Sequence, residues 1–169
     1  MGGEVYVCDA TSLIDLHRHF PKIFSRKLKK LTRTGRLKVP EGVYRELLRG
    51  SDKLRVILKK WQKEHCIVIN VSSSSRLQAQ LGELERNYGD KIQIGNRTYR
   101  GFWKSKAGRQ AADSQVVAMA KVHGHTVVSD DTAVRLACSL EDVPCISWTE
   151  FARRISLSYA MPSLFDQPS

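Results

Sequence analysis

A three-layer α/β/α sandwich around a central, mainly parallel sheet of four or five strands is what three features of this sequence predict. Short apolar runs alternate with segments of helical periodicity along nearly the whole chain. Two of those runs stop abruptly on carboxylates. The length, 169 residues, favours one domain, because a chain of about 150 residues already buries about 68–70% of its unfolded surface. Alternating β and α elements imply parallel strands covered by helices on both faces.

Each element follows from its own residues. Residues 4–9 read as a buried strand: in "VYVCDATSLIDL", Val5, Tyr6 and Val7 are β-branched or aromatic, and Asp9 ends the run. Residues 11–18 begin a helix that buries Leu13, Ile14 and Leu16. In "PKIFSRKLKKLTRTGRL", Ile23, Phe24, Leu28 and Leu31 recur at near-helical spacing and Gly35 stops the helix. "LKVP" is a strand. Pro40 opens the helix "PEGVYRELLRG", which Gly50 ends. "SDKLRVILKKWQK" is amphipathic, with Leu54, Ile57, Leu58 and Trp61 on one face.

"CIVINV", 66–71, reads as a strand, and the serine run after it can cap a helix carrying Leu77, Leu81 and Leu84. Residues 89–108 have no helical period and form a long loop or small hairpin, a length that is uncommon without a purpose. "RQAADSQVVAMAKVHG" is a helix burying Ala112, Val116, Met119 and Ala120, closed by Gly124. "TVVS", "DDTAVRLACSL", "VPCIS" and "WTEFARRI" complete the alternation. Residues 1–156 form the single expected domain and 157–169 a C-terminal tail.

Composition narrows the function. No run of about 18 apolar residues is present, so a membrane span is not expected. "MGGEVYV" lacks the charged start and apolar middle of an export signal, which argues for the cytoplasm. The four cysteines include no C-x-x-C pair, so the expectation is reduced, small, buried side chains rather than zinc ligands. A net charge of +11 suits an anionic partner, nucleic acid above all.

Against that basic background the positions of the acids stand out. Asp9 ends the first strand, Glu46 lies in the helix "VYRELL", Asp113 in the first turn of "ADSQVVAMA", and Asp130 and Asp131 follow "TVV". Taken singly, Asp9, Asp130 and Asp131 can be helix N-caps, Asp113 is favoured by the helix dipole, and Glu46 can face solvent. Gathered together, carboxylates repel and one takes up a proton unless a cation intervenes. Magnesium and manganese prefer such hard oxygen ligands. An ion held there can polarise a phosphodiester and make water acidic enough to attack it. The histidines fit a metal site poorly: His17 and His19, two apart on a helix, diverge by about 200°. His123 and His125 straddle a helix end, where a cationic His is favoured.

Three stretches in order resemble the PIN domain, a fold of many metal-dependent ribonucleases. "VYVCDATSLIDL" is similar to the family's opening, "VPEGVYREL" to its "P..V..EL" segment, and "AADSQVVAMAKVHGHTVVSDD" to its "AD..v.A.A...g..vvt.D" segment. The likeness runs from about residue 4 to 151. Residues 28–47 also resemble VapC-type toxins of toxin–antitoxin pairs. The resemblance implies a magnesium- or manganese-dependent endoribonuclease leaving 5′-phosphate and 3′-hydroxyl ends, with Asp9, Glu46, Asp113 and Asp131 as metal ligands and catalytic acids. It implies supporting roles for Thr11, Ser129 and Asp130, with register favouring Asp131 over Asp130 as ligand. It also implies RNA as substrate, a cognate antitoxin as partner, and a homodimer. Ala10 stands where a hydroxyl residue is usual in the family.

Two basic segments remain. "SRKLKKLTRTGRLK" is mostly an amphipathic helix whose default is a solvated face. "NRTYRGFWKSKAGR" interleaves aromatics with cations, a pattern suited to stacking on bases and tracking phosphates. Arg97, Tyr99, Arg100, Trp103, Lys104, Lys106 and Arg109 are therefore candidate RNA contacts. Packing of Trp103 into the core is the competing reading. A catalytically inactive PIN-fold module that binds RNA or protein is the alternative function. A phosphoryl-accepting Asp9 is a third reading, weakened because Thr11 stands where a phosphatase needs a second Asp.

Overall fold

The computed structural model describes residues 2–50, 52–103 and 112–157. The chain runs β1 (Tyr6–Cys8), α1 (Ala10–His19), α2 (Phe24–Arg33), β2 (Leu37–Pro40), α3 (Glu41–Leu48), α4 (Asp52–His65), β3 (Val68–Ile69), a 3₁₀ turn (Val71–Ser73), α5 (Ser75–Tyr88), β4 (Lys91–Ile94), β5 (Arg97–Arg100), α6 (Asp113–His123), β6 (Thr126–Val128), α7 (Thr132–Leu140), β7 (Cys145–Ile146) and α8 (Trp148–Arg154). The central sheet has five parallel strands in the order β3-β2-β1-β6-β7, flanked by helices. In register, Tyr6 of the middle strand lies between Leu37 and Thr126. All three residues of β1 and of β6 are buried, as strands covered on both faces must be.

The connectivity places the site. From β1 the chain moves to one side for β2 and β3, then returns to the other side for β6 and β7. Strand order therefore reverses between β1 and β6, and ligands of open α/β sheets bind outside the carboxyl ends of the strands at such a point. Helix α6 packs on β1, β2 and β6. Six of its residues, from Ser114 to Ala120, are buried, the pattern of a helix enclosed on most sides. It turns into β6 through Gly124 at φ +70°, so it runs against the strand and its first residue, Asp113, lies toward the carboxyl edge.

Sequence and structure differ in places. The run at 66–71 pairs only over Val68–Ile69, because Cys66 takes φ 50° and Val71 turns away to give its N–H to Glu41 Oε1 at 3.0 Å. Cys66 is exposed rather than buried. Helix α7 starts at Thr132, with Asp131 as its cap. Ser74 caps α5 by accepting from Leu77 N. Helix α2 buries Phe24, Leu28 and Leu31 and exposes Arg26, Lys29, Lys30 and Arg33, the solvated basic face expected of it.

The aperiodic segment begins as a hairpin. Strands β4 and β5 pair antiparallel with Ile94 opposite Arg97, and Gly95 takes φ +57° in the two-residue turn, as the first position of a type II′ turn requires. Beyond it, Gly101, Phe102 and Trp103 donate backbone hydrogen bonds to Asp90, Tyr88 and Gly89. That return is so close that a Cβ on Gly101 would lie 2.1 Å from Tyr88 O and 2.5 Å from Gly89 O. Both obstacles are backbone, so Gly101→Ala must displace the strand. It is expected to cost about 1–3 kcal/mol, the usual range for overpacking, read as a lower urea midpoint.

Candidate functional site

Asp9 follows β1 directly and continues its pairing, donating its N–H to Val128 O at 3.2 Å. Its side chain is 4% exposed. Oδ1 accepts from Ser12 N at 2.8 Å, so Asp9 is the N-cap of α1. Oδ2 accepts a short hydrogen bond from Ser129 Oγ. A carboxylate has about four lone-pair sites, so about two remain for a ligand.

Ser129 is fully buried and bonded twice, since its Oγ also accepts from Asp131 N at 3.1 Å. One hydroxyl thus ties the end of β1 to the residue capping α7. Asp131 Oδ1 takes Val134 N at 3.1 Å, and the side chain is half-buried. Asp130 is turned elsewhere: it is exposed, pairs with Arg135 Nη1 at 3.8 Å and accepts from Trp148 N at 3.4 Å. Of the doubled acid, Asp131 is therefore the one tied to the hydroxyl that holds Asp9.

Glu46 lies on α3, immediately beyond the carboxyl end of β2, and is exposed. Its carboxyl is held above the ordinary glutamate value, first by partial desolvation and then by the negative charge of Asp9, with Arg49 working against both. The two acids thus interact although 37 positions apart in sequence (46 − 9). Helix α6 is locked to α3 at this edge, because Gly42 N donates to Gln115 Oε1 at 2.9 Å. Asp113, half-buried, opens that same helix. Thr11 is exposed in the first turn of α1.

The opposite edge of the sheet contrasts with this. There Glu4 accepts from Thr126 Oγ1 at 2.6 Å and Tyr6 OH at 2.7 Å and pairs with Arg154. Its carboxyl is pushed below the usual range by the hydrogen bonds from Thr126 and Tyr6 and by the Arg154 charge. The carboxylate at the amino edge is paired off; the glutamate at the carboxyl edge is strained by another acid.

The donor set at the carboxyl edge is hard oxygen throughout, which fits magnesium or manganese. Among the described residues, no three His, Cys, Asp or Glu side chains converge as a ready metal centre. A cavity of about 410 Å³ lies elsewhere, between Phe20 and α8, and none of the acids lines it.

The raised Glu46 carboxyl has a consequence for stability. Without a cation, the folded protein holds this proton to higher pH than the unfolded chain does, so ionisation costs stability as pH rises from the unfolded value through the raised folded one. Glu46→Gln is expected to match the parent below that window and exceed it at neutral pH. The gain stays well under about 1 kcal/mol, because solvent screens an exposed group. Urea midpoints in EDTA at pH 4 and pH 7 measure it.

The candidate RNA contacts divide. Arg97 and Arg100 are exposed on β5. Tyr99 and Trp103 are half-buried against the core, and Phe102 is 1% exposed, so it offers no face to a base. Lys104, Lys106 and Arg109 lie outside the described residues. The sequence reading missed Gln115, which fixes α6 on α3, and Ser12, whose N–H engages Asp9.

Comparison with known proteins adds the family context. A family model described as "Domain of unknown function (DUF4411)" matches residues 6–159. None of the curated proteins matches the sequence. Among solved structures, VapBC2 from Rickettsia felis, bound to a DNA fragment from its promoter, is similar with a TM-score of 0.52 and 16% identity over 85% of this chain and 98% of that one. VapBC-1 from nontypeable Haemophilus influenzae is similar with a TM-score of 0.50 and 18% identity, over 86% and 98%. These likenesses agree with a VapC-like PIN fold.

Proposed function

The chain belongs to the PIN-like DUF4411 family, and from that premise we propose that it is a divalent-metal-dependent endoribonuclease, the toxin of a toxin–antitoxin pair. The observation that carries the reading is the Ser129 hydroxyl at the switch point of the sheet, which donates to the Asp9 carboxylate and accepts from the Asp131 N–H, with the Glu46 carboxyl raised by desolvation and by the charge of Asp9. Asp9, Glu46, Asp113 and Asp131 would hold magnesium or manganese. Such an ion supplies polarisation of the phosphodiester and a more acidic water.

The chain's own residues supply the rest. Ser129 fixes the Asp9 carboxylate in one orientation by its hydrogen bond, so the charge needs no rearrangement when a ligand arrives. Caps on α1 and α7 hold Asp9 and Asp131 on rigid elements rather than on loops. Glu46, whose carboxyl is held above the ordinary value by desolvation and by the charge of Asp9, would have that repulsion offset by a cation. The net charge of +11 and the exposed cations of α2 and β5 favour approach of an RNA backbone. An antitoxin and a second copy of the chain are the partners this reading implies.

Incubation of labelled single-stranded and structured RNA with the protein, in manganese and in EDTA, tests the reading. The expected result is cleavage that needs the metal, leaves 5′-phosphate ends and is lost in Asp113→Asn. Binding without cleavage, indifferent to EDTA, would instead identify a non-catalytic module.

A further inference from the structure

Helices α2 and α4 pack against one another, with the rings of Phe24 and Trp61 stacked between them at 5.6 Å. Together the two helices carry ten Lys and Arg against two acids, Asp52 and Glu64. On α2, Arg26, Lys29, Lys30 and Arg33 are exposed. Their spacing of i, i+3, i+4 and i+7 puts them in one row, about 10 Å long. On α4, Lys53, Lys60 and Lys63 are exposed in a second row, about 15 Å long by the same rise. Lys60 lies 4.0 Å from Glu64. The four cations of the α2 row have no carboxylate partner among the described residues.

We propose that the outer faces of α2 and α4 form a phosphate-binding surface for a double-helical region of RNA. The choice of RNA rests on the ribonuclease reading; the choice of a paired region rests on the surface itself. Proteins that hold single strands stack the bases on aromatic rings. Here the aromatic rings of both helices, Phe24 and Trp61, are buried, so the surface offers charge and no platform. A duplex keeps its bases stacked inside and is held by its shape and its phosphates. Packed helices lie about 8–10 Å apart, so the cations stand in two rows, which suits two strands better than one.

An acidic protein segment fits less well. Partner proteins are anchored by large apolar or aromatic side chains in pockets, and among the described residues of these helices Val56 is the large apolar side chain left exposed. The surface is also continuous with the candidate site. Helix α4 packs on α3, the helix that carries Glu46. RNA held on α2 and α4 thus lies beside the acidic edge, and its paired region is gripped by one surface while an adjoining strand reaches the other.

Fluorescence anisotropy of the full chain tests this in EDTA, where binding is read without metal-dependent cleavage. The probes are a labelled RNA duplex of about 16 base pairs, one of its strands alone, and a DNA duplex of the same sequence. The expected result is tightest binding to the RNA duplex, weakening steeply with added potassium chloride. Lys29→Gln/Lys60→Gln is expected to lower the salt slope by about two, one for each phosphate contact removed. Lys29→Glu/Lys30→Glu/Lys60→Glu/Lys63→Glu is expected to bind at least about tenfold more weakly, and an unchanged urea midpoint shows that it is folded. Arg97→Glu/Arg100→Glu, on the hairpin, is expected to lose less than about twofold. Equal binding by the parent and the Gln and Glu variants would overturn the proposal. So would tighter binding of the single strand, equal binding of the DNA duplex, or displacement of RNA by polyglutamate at equal charge, which would mark a site for acidic protein. Duplex binding through these lysines without any manganese-dependent cleavage would remove the nuclease reading and leave this surface standing.

Discussion

Asp9→Asn is expected to reduce manganese-dependent RNA cleavage by at least about a hundredfold while leaving the fold intact. The substitution separates two roles of one side chain. Asn is as good an N-cap as Asp, so Oδ1 still accepts from Ser12 N. The new amide faces Ser129 Oγ, which can rotate to accept instead of donate. What disappears is the charge, and with it a ligand for the cation. Loss of even an outer-shell partner commonly costs about 10–100-fold in metal affinity or activity, so loss of a direct ligand belongs at or beyond the upper end. Single-turnover cleavage and urea midpoints, measured on the same preparation, separate the effects. An Asp9 that merely caps α1 would leave both unchanged in the Asn variant.

The second large effect is Ser129→Ala. This hydroxyl is fully buried, donates to Asp9 Oδ2 and accepts from Asp131 N. Alanine leaves a buried carboxylate oxygen and a backbone N–H without those partners. Each such loss costs about 1–3 kcal/mol, so a total of about 2–6 kcal/mol is expected in urea unfolding. Cleavage is expected to fall about 10–100-fold, as for other outer-shell changes. Ser129→Thr keeps the hydroxyl and is expected to recover part of both, limited by room for the added methyl.

The sheet and the position of Asp9 at a strand end were legible because they rest on local patterns. A short apolar run that ends on Asp is unusual in itself, and Asp9 follows this rule directly after β1. Helix α6 was visible from its small apolar residues and from Gly124. The hairpin was less legible. Only Ile92 among the residues of β4 is buried, so alternation is weak, although Gly95-Asn96 is a known hairpin signal. The burial of Phe102 depends on Gly101 pressing against Tyr88 and Gly89. That contact between distant backbones leaves no periodic trace in the sequence. The apolar run at 66–71 overstated β3, because the bond from Val71 N to Glu41 is a tertiary contact.

Calorimetric titration of manganese into the metal-free protein tests most directly whether the acids at the switch point hold a cation. The parent is expected to bind manganese. Binding is expected to weaken at least about tenfold in Asp9→Asn, as loss of a ligand demands. Absence of binding to the parent, or equal affinity in parent and variant, would contradict a metal centre built on Asp9.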